Sequence, residues 1–469
     1  MPAVITTKGN ESHLKPEVMD KSKKLMTVFV ILASALAGAL YGLDIGVIGG
    51  ALDPLTAELK LTSAESGLIV GAVLYGGAVA MLITGFLADI FGRKKMIVIS
   101  AVIFIIGVIL SAYCHHFSTL LAGRLVMGIG VGVSAILVPL YLSETAPSKV
   151  RGTAVACFQL FLTGGILLAY LVDLAFTASG NWRAMFLVLI FPGLLLFILA
   201  IFLPESPTWL FMKKKLDLTK KVLLKFHSEV NADLIIADMT ALKEEKVHAP
   251  NKTIFKKAYV VPFIIAFLIA NFNQTTGINC VLQYAPKIFS DSGVNSPVLA
   301  VLLGTGITVI NFVVTLIATS IIDKFGRKPL LTLSTAGVVI SLVLMGVASM
   351  MGVSNLKIVI LTIGTFGFIL SFAFGCGVVV WLAMSELLPT AIRSKGLAIC
   401  LFGNSMISSI LATIFPVLKD TIGYSGLFFV LAGFTVLYFI VARFFLPETK
   451  GKTIEEIEEY WVSKYEKKA

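Results

Sequence analysis

An aspartate, an arginine and a run of amides stand in this chain where the surrounding residues are apolar. Asp44 lies in Leu40-Tyr-Gly-Leu-Asp44-Ile-Gly-Val-Ile-Gly, and Arg124 lies in Ala122-Gly-Arg124-Leu-Val-Met-Gly. If these stretches cross a bilayer, an ionised carboxylate at that depth costs at least ~2.5 kcal/mol on insertion scales, so Asp44 needs a partner or a proton. Desolvation favours the neutral acid and a nearby guanidinium favours the ion, so a moving Arg124 would toggle proton binding at Asp44. A static ion pair is the other reading of the same two residues. A third group is Asn271-Phe-Asn273-Gln274-Thr-Thr-Gly277-Ile-Asn279, too rich in amides to face lipid. Amides flanking a glycine predict an interrupted helix lining a watery cavity, where a hydroxyl-rich ligand meets donors and acceptors together.

The elements that must carry these groups follow from composition. Of 469 residues, 57% are apolar and 14% charged, against roughly 45–50% and about 25% in soluble domains. A large soluble domain is excluded. At about 20 apolar residues per crossing, twelve spans are predicted, near 26–50, 66–88, 96–113, 119–142, 152–173 and 183–203, then 258–289, 297–322, 329–351, 357–385, 396–418 and 424–446. Residues 1–25 and 447–469 form polar tails. Between the two sets, 204–257 carries Lys213, Lys214, Lys215, Lys220, Lys221 and Lys225 and reads as a polar linker of short amphipathic helices. The first apolar run has no small-residue cleavage site at its end and is expected to remain as span 1.

The net charge of +11 does not indicate nucleic acid, because the basic residues lie between apolar blocks rather than in one domain. With both termini on one side, 32 of 38 lysines and arginines fall on that side. The positive-inside rule makes it the cytoplasm. The five cysteines, Cys114, Cys157, Cys280, Cys376 and Cys400, are isolated and read as packing residues.

The two sets of spans also repeat. Asp89-Ile-Phe-Gly-Arg93-Lys-Lys returns 234 positions later as Asp323-Lys-Phe-Gly-Arg327-Lys-Pro. Ser143-Glu144 with Arg151 returns 242 positions on as Ser385-Glu386 with Arg393, and Pro204-Glu205-Ser-Pro returns 243 positions on as Pro447-Glu448-Thr-Lys-Gly. A nearly constant offset, with order and membrane side preserved, predicts an all-α membrane protein of twelve transmembrane helices in two pseudo-symmetric six-helix bundles. Carboxylates at the inner ends of spans 2, 4, 8 and 10 lie near arginines of adjacent loops. Such pairs, with Glu205 and Glu448, would latch the bundles on the cytoplasmic side; static anchoring is the plainer alternative.

In these motifs, from Gly85-Phe-Leu-Ala-Asp89-Ile-Phe-Gly-Arg93-Lys through Tyr141-Leu-Ser-Glu144-Thr-Ala-Pro147 and Pro204-Glu-Ser-Pro207 to Pro447-Glu-Thr-Lys-Gly451, the chain resembles the sugar porter family of the major facilitator superfamily. The resemblance implies a transporter of the major facilitator fold, able to work as a monomer, with substrate held between the bundles and exposed alternately to each side. Its proton-coupled members are similar here in carrying an aspartate in span 1 and an arginine in span 4, where facilitative relatives commonly have asparagine at the first position. By the same resemblance, sugar ligands would be Gln159, Gln274, Asn279, Asn311, Trp381 and Asn404. This chain departs from the family at Asn273, where a first glutamine is usual, and at Gln283, which replaces the first of two tyrosines. Val378 and Ser405 replace a proline and a tryptophan. One aromatic fewer and one amide more suit a ligand hydroxylated differently from glucose, such as a pentose or polyol.

The expected function is therefore proton-coupled symport of a monosaccharide or polyol across the cell membrane, with no cofactor and no metal. A facilitative uniporter and a non-transporting sugar sensor are the alternatives. Gly128-Ile-Gly-Val-Gly132 follows no strand and reads as helix packing rather than a phosphate loop. His115-His116 reads as a solvated loop, and no nucleophile constellation suggests an enzyme.

Overall fold

The computed structural model describes residues 20–248, 257–389, 392–452 and 454–465, apart from the side chains at 148, 149, 151–153, 155, 156, 242–248, 323, 394, 454 and 455. Six apolar helices come first: α1 (Lys21–Leu59), α2 (Ser63–Phe91), α3 (Arg93–Ala112), α4 (Phe117–Thr145), α5 (Ser148–Thr177) and α6 (Trp182–Phe202). The polar segment then folds as α7 (Pro207–Met212), α8 (Leu216–Leu223) and α9 (Glu229–His248). The second apolar set is α10 (Lys257–Thr275), α11 (Ile278–Asp291), α12 (Pro297–Phe325), α13 (Arg327–Met350), α14 (Asn355–Leu387) and α15 (Arg393–Ile440), followed by α16 (Ile454–Tyr465).

These helices make twelve crossings. α10 and α11 form one, broken at Gly277, whose φ of +83° a glycine adopts without strain. α15 forms two: its 48 residues would run about 72 Å at 1.5 Å each, against roughly 30 Å of hydrocarbon, and at Gly423 (φ +68°, ψ 170°) the backbone leaves the helix. Twelve crossings return both ends to one side, here called the terminal face; the opposite side is the far face. The helices outrun the predicted spans at several ends. α1, for example, continues to Leu59 because hydropathy reports only the apolar part of a helix.

Without a hydrophobic drive between helices in lipid, close packing must hold them, and small residues permit it. Gly38, Gly42, Gly46 and Gly50, one helical turn apart, lay α1 against Phe158, Leu162, Ile166 and Asp173 of α5. A Cβ on Gly42 would strike the Leu162 carbonyl and the Ile166 nitrogen. Gly128 of α4 rests on the Val73 backbone of α2, and Gly132 meets Gly77. The glycines of 128–132 are thus packing residues. The five cysteines are unpaired, and burial pushes the Cys114 thiol, in the turn after α3, above its ordinary value.

The two halves meet through α1 with α11, α2 with α15, and α5 with α12. On the far side the joint is polar as well as packed. Lys287 of α11 pairs with Asp53 of α1 at 3.1 Å, Ser63 of α2 donates to Asp420 of α15, and the Tyr170 hydroxyl of α5 donates to the Leu282 carbonyl at 2.5 Å. Gly67 and Gly71 press against Thr413 and Ser409. The far face is closed in this conformation.

Close approach predicts opposite signs for one substitution at two glycines. Gly42→Ala should lower stability in detergent by about 1–3 kcal/mol through overpacking. Gly433→Ala, where a Cβ meets nothing within 4 Å, should be neutral or stabilising by up to ~1 kcal/mol. Thermal unfolding of the two purified variants checks this.

Candidate functional site

The charged pair inside the first half is formed by the glycine seams just described. Asp44 on α1 and Arg124 on α4 are both buried, and Arg124 Nη1 donates to Asp44 Oδ1 at 2.5 Å. Arg124 Nε donates to the Ile69 carbonyl of α2 at 3.4 Å, and its plane lies 5.7 Å from the Phe186 ring of α6. Four helices therefore enclose one guanidinium. Its Nη2 is buried without a hydrogen-bond partner. The site thus holds a carboxyl group next to an incompletely satisfied guanidinium, an arrangement whose balance changes if either helix moves.

The amides collect in the second half, where the break at Gly277 swings two helix ends against α15. Gln274 Nε2 donates to Asn404 Oδ1 at 3.2 Å, and Asn404 Nδ2 to the Ala270 carbonyl at 2.6 Å. Asn279 Nδ2 donates to Gln274 Oε1 at 3.1 Å and to Ser408 Oγ at 2.7 Å. Three of the expected sugar ligands thus share one hydrogen-bonded cluster, with Ser408 added. Asn273 turns the other way and donates to the Cys376 carbonyl at 3.0 Å, in a π-helical turn over Phe372–Cys376 of α14. Such turns leave backbone groups to be satisfied from outside the helix. Gln283 is buried, and its Oε1 has no partner.

The remaining expected ligands stand on other helices, α5, α12 and α14. Gln159 is half-buried on α5, shortly before Gly164, which faces Phe312 of α12; Asn311 precedes that phenylalanine and is buried. Trp381 on α14 is 42% exposed.

At the terminal face the repeat extends to individual atoms. Arg93 donates from Nε and Nη2 to the two oxygens of Glu144, at 3.0 and 3.1 Å, and from Nη1 to Asp89 at 3.1 Å. Arg327 does the same to Glu386 from Nη2 at 2.9 Å and Nε at 3.2 Å. Ser206 Oγ donates to Glu144 and Thr449 Oγ1 to Glu386, both at 2.5 Å. Glu205 accepts the N–H groups of Arg93 and Lys94 at 2.8 and 3.1 Å, so a carboxylate from the end of α6 caps the positive end of α3. Glu448 accepts those of Arg327 and Lys328 at 3.0 and 3.1 Å and caps α13. Gly92 and Gly326, at φ +96° and +91°, leave room for these carboxylates.

All these partners of Arg93 and Arg327 lie in the arginine's own half. A latch across the halves was the expectation; in this conformation the contacts tie neighbouring helices within each half. Arg393 donates to the Leu388 carbonyl at 3.2 and 3.1 Å. The side chains of Arg151 and Asp323 lie outside those described. Ser206 and Thr449 were missed from sequence, although each directly follows the capping glutamate in its repeat.

The family described as Sugar (and other) transporter matches residues 30–461. The metabolite transport protein YwtG of Bacillus subtilis is 38% identical over 93% of this chain and 95% of its own length. The galactose-proton symporter of Escherichia coli is 34% identical over 93% of this chain and 95% of its own. Among solved structures, a partially occluded inward-open conformation of the xylose transporter XylE from E. coli superposes with a TM-score of 0.80 at 27% identity, covering 92% of this chain and 100% of that one.

The capping carboxylates allow a test of how the halves are coupled. Glu205→Gln and Glu448→Gln should each lower stability by about 1 kcal/mol, since the ionised acceptor at a helix N-terminus is lost. If each network serves its own half, the double variant should lose the sum of the two in thermal unfolding. A non-additive loss would show the two networks to be coupled.

Proposed function

The chain belongs to the Sugar (and other) transporter family, and from that membership we propose that it carries a monosaccharide into the cell together with a proton, by alternating access. It is a multi-pass membrane transporter and not an enzyme. The observation that carries the coupled reading is the buried Asp44–Arg124 pair: a carboxylate that can hold a proton, beside a guanidinium on another helix that competes with the proton for that carboxylate. The similarity to the galactose-proton symporter of E. coli supports the same reading. The two moving bodies are 26–203 and 258–446, joined by 204–257, with both termini in the cytoplasm as the basic residues of the terminal face favour. The chain works in the cell membrane as a monomer.

For the substrate, a hexose, pentose or related polyol, the amides Gln274, Asn279 and Asn404 supply paired donors and acceptors, and Gln159, Asn273, Gln283 and Asn311 add further ones from the facing helices. The indole of Trp381 packs on the C–H face of the ring. Asp89, Arg93, Glu144, Arg151, Glu205 and their counterparts Asp323, Arg327, Glu386, Arg393 and Glu448 gate the cytoplasmic side by fixing the helix ends that must separate and rejoin. If the amides bind sugar in a desolvated cavity, Gln159→Ala and Asn279→Ala should each weaken binding by about 1–3 kcal/mol while the protein still folds. Titration calorimetry with a panel of monosaccharides and polyols reads both the affinity and the preferred ligand.

Coupling is tested at Asp44. A proton moving with the sugar contributes ~2.3 kcal/mol per 100 mV and ~1.4 kcal/mol per pH unit. Asp44→Asn keeps the size and removes the exchangeable proton. In liposomes, uphill uptake driven by a pH gradient should vanish, whereas exchange of labelled for unlabelled sugar should persist. Uphill uptake that survives the substitution removes Asp44 from the coupling role, and exchange without uphill uptake in the unaltered protein makes the chain a uniporter.

A further inference from the structure

Asp173 is a second carboxylate within the membrane part of the first half. It sits on α5 near the far face and is fully buried. Its Oδ2 accepts the Gly50 N–H of α1 at 2.9 Å; its Oδ1, also buried, has no hydrogen-bond partner.

The charged groups around it are engaged with one another. Arg124 of α4 is bound to Asp44 of α1, Lys287 of α11 to Asp53, and Arg183 of α6 to Glu58. The crossing of α12 from Pro297 to Ile322 holds no charged residue. On α5 itself, Tyr170 one turn away gives its proton to the Leu282 carbonyl. An ionised carboxylate with one neutral donor and no cation would be an uncompensated charge in a medium that does not solvate it. Such a group binds a proton instead.

Its position links that proton to the closure of the far face. Gly50 lies six residues beyond Asp44 on α1, about 9 Å nearer the far face. Pro54 has no N–H for the Gly50 carbonyl, so the helical ladder is open where Asp173 docks. Gly49 and Gly50 admit the Tyr170 hydroxyl and the Asp173 carboxyl, and Tyr170 spans the joint between the halves.

We propose that Asp173 is a second proton-binding site, loaded while the far face is closed and exchanging its proton with water when α5 parts from α11. One proton moves between water and the Asp173 carboxyl; no other bond changes. The inference rests on the alternating-access reading, and it does not require Asp44 to be the coupling carboxylate.

Infrared difference spectra of the purified chain test the loaded state. At neutral pH, Asp44→Asn should retain a protonated-carboxyl band that Asp44→Asn/Asp173→Asn lacks. Spectra in which Asp173→Asn removes no such band overturn the proposal. Where the asparagine variant does not fold, Asp173→Glu should shift the band, and an unshifted band overturns it equally. For the coupling to closure, spin labels at the exposed far-face positions Ala178 and Asn295 report the distance between the halves. In the Asp44→Asn background, raising the pH should move the population toward an open far face, and adding Asp173→Asn should abolish that shift. A double variant that responds to pH as Asp44→Asn does would refute the link. Failure of the symport reading would show separately, as absent uphill uptake with the band and the shift intact.

Discussion

Enclosing a guanidinium among helices, away from bulk solvent, is the demand around which the first half is arranged. Arg124 requires an anion at hydrogen-bonding distance, and Asp44 on a different helix supplies it. That meeting requires α1 and α4 to be held at fixed depth and rotation. The glycines on α1 let it lie directly on α5, and those on α4 let it lie on α2. Lipid tails offer no hydrophobic reason for helices to associate, so backbone-to-backbone approach and a few internal polar contacts do the holding.

The second half solves a different problem with the same scaffold. It repeats the terminal-face cluster group for group, with Arg327, Glu386, Thr449 and Glu448 in the roles of Arg93, Glu144, Ser206 and Glu205. In place of the Asp44–Arg124 pair, it has the hydrogen-bonded amides around Gly277. Amides remain neutral through any protonation cycle and can trade one hydrogen bond for another at little cost. A charged centre in one half and an exchangeable polar surface in the other divide two tasks between bodies of one architecture.

Much of this was legible in the sequence because it rests on strong, local physics. Apolar stretches of spanning length mark the crossings, motifs at a constant offset mark the repeat, and amides around Gly277 mark the helix break. What resisted was the choice of partner. Whether Asn273 turns to the other amides or to Cys376 depends on a π-helical turn in α14 that no short pattern in that segment signals. Arg93 and Arg327 were readable as ion-pair formers, but a sequence does not say whether the partner sits on the same half or the opposite one. Asp173, close to the end of its span, reads like a residue of the polar boundary until the neighbouring glycine places it inside.

The helix from Arg393 to Ile440 turns back at Gly423 without an intervening loop. Its two arms consequently share a stiff corner, and a tilt imposed on the first arm is passed to the second with little slack. The corner also offers poor footing for a protease or an inserted epitope tag, both of which need several residues of extended chain. The turn at 351–354, which leaves the helical ladder for longer and is largely exposed, is a place where this surface can be marked or cut with less disturbance of what it joins.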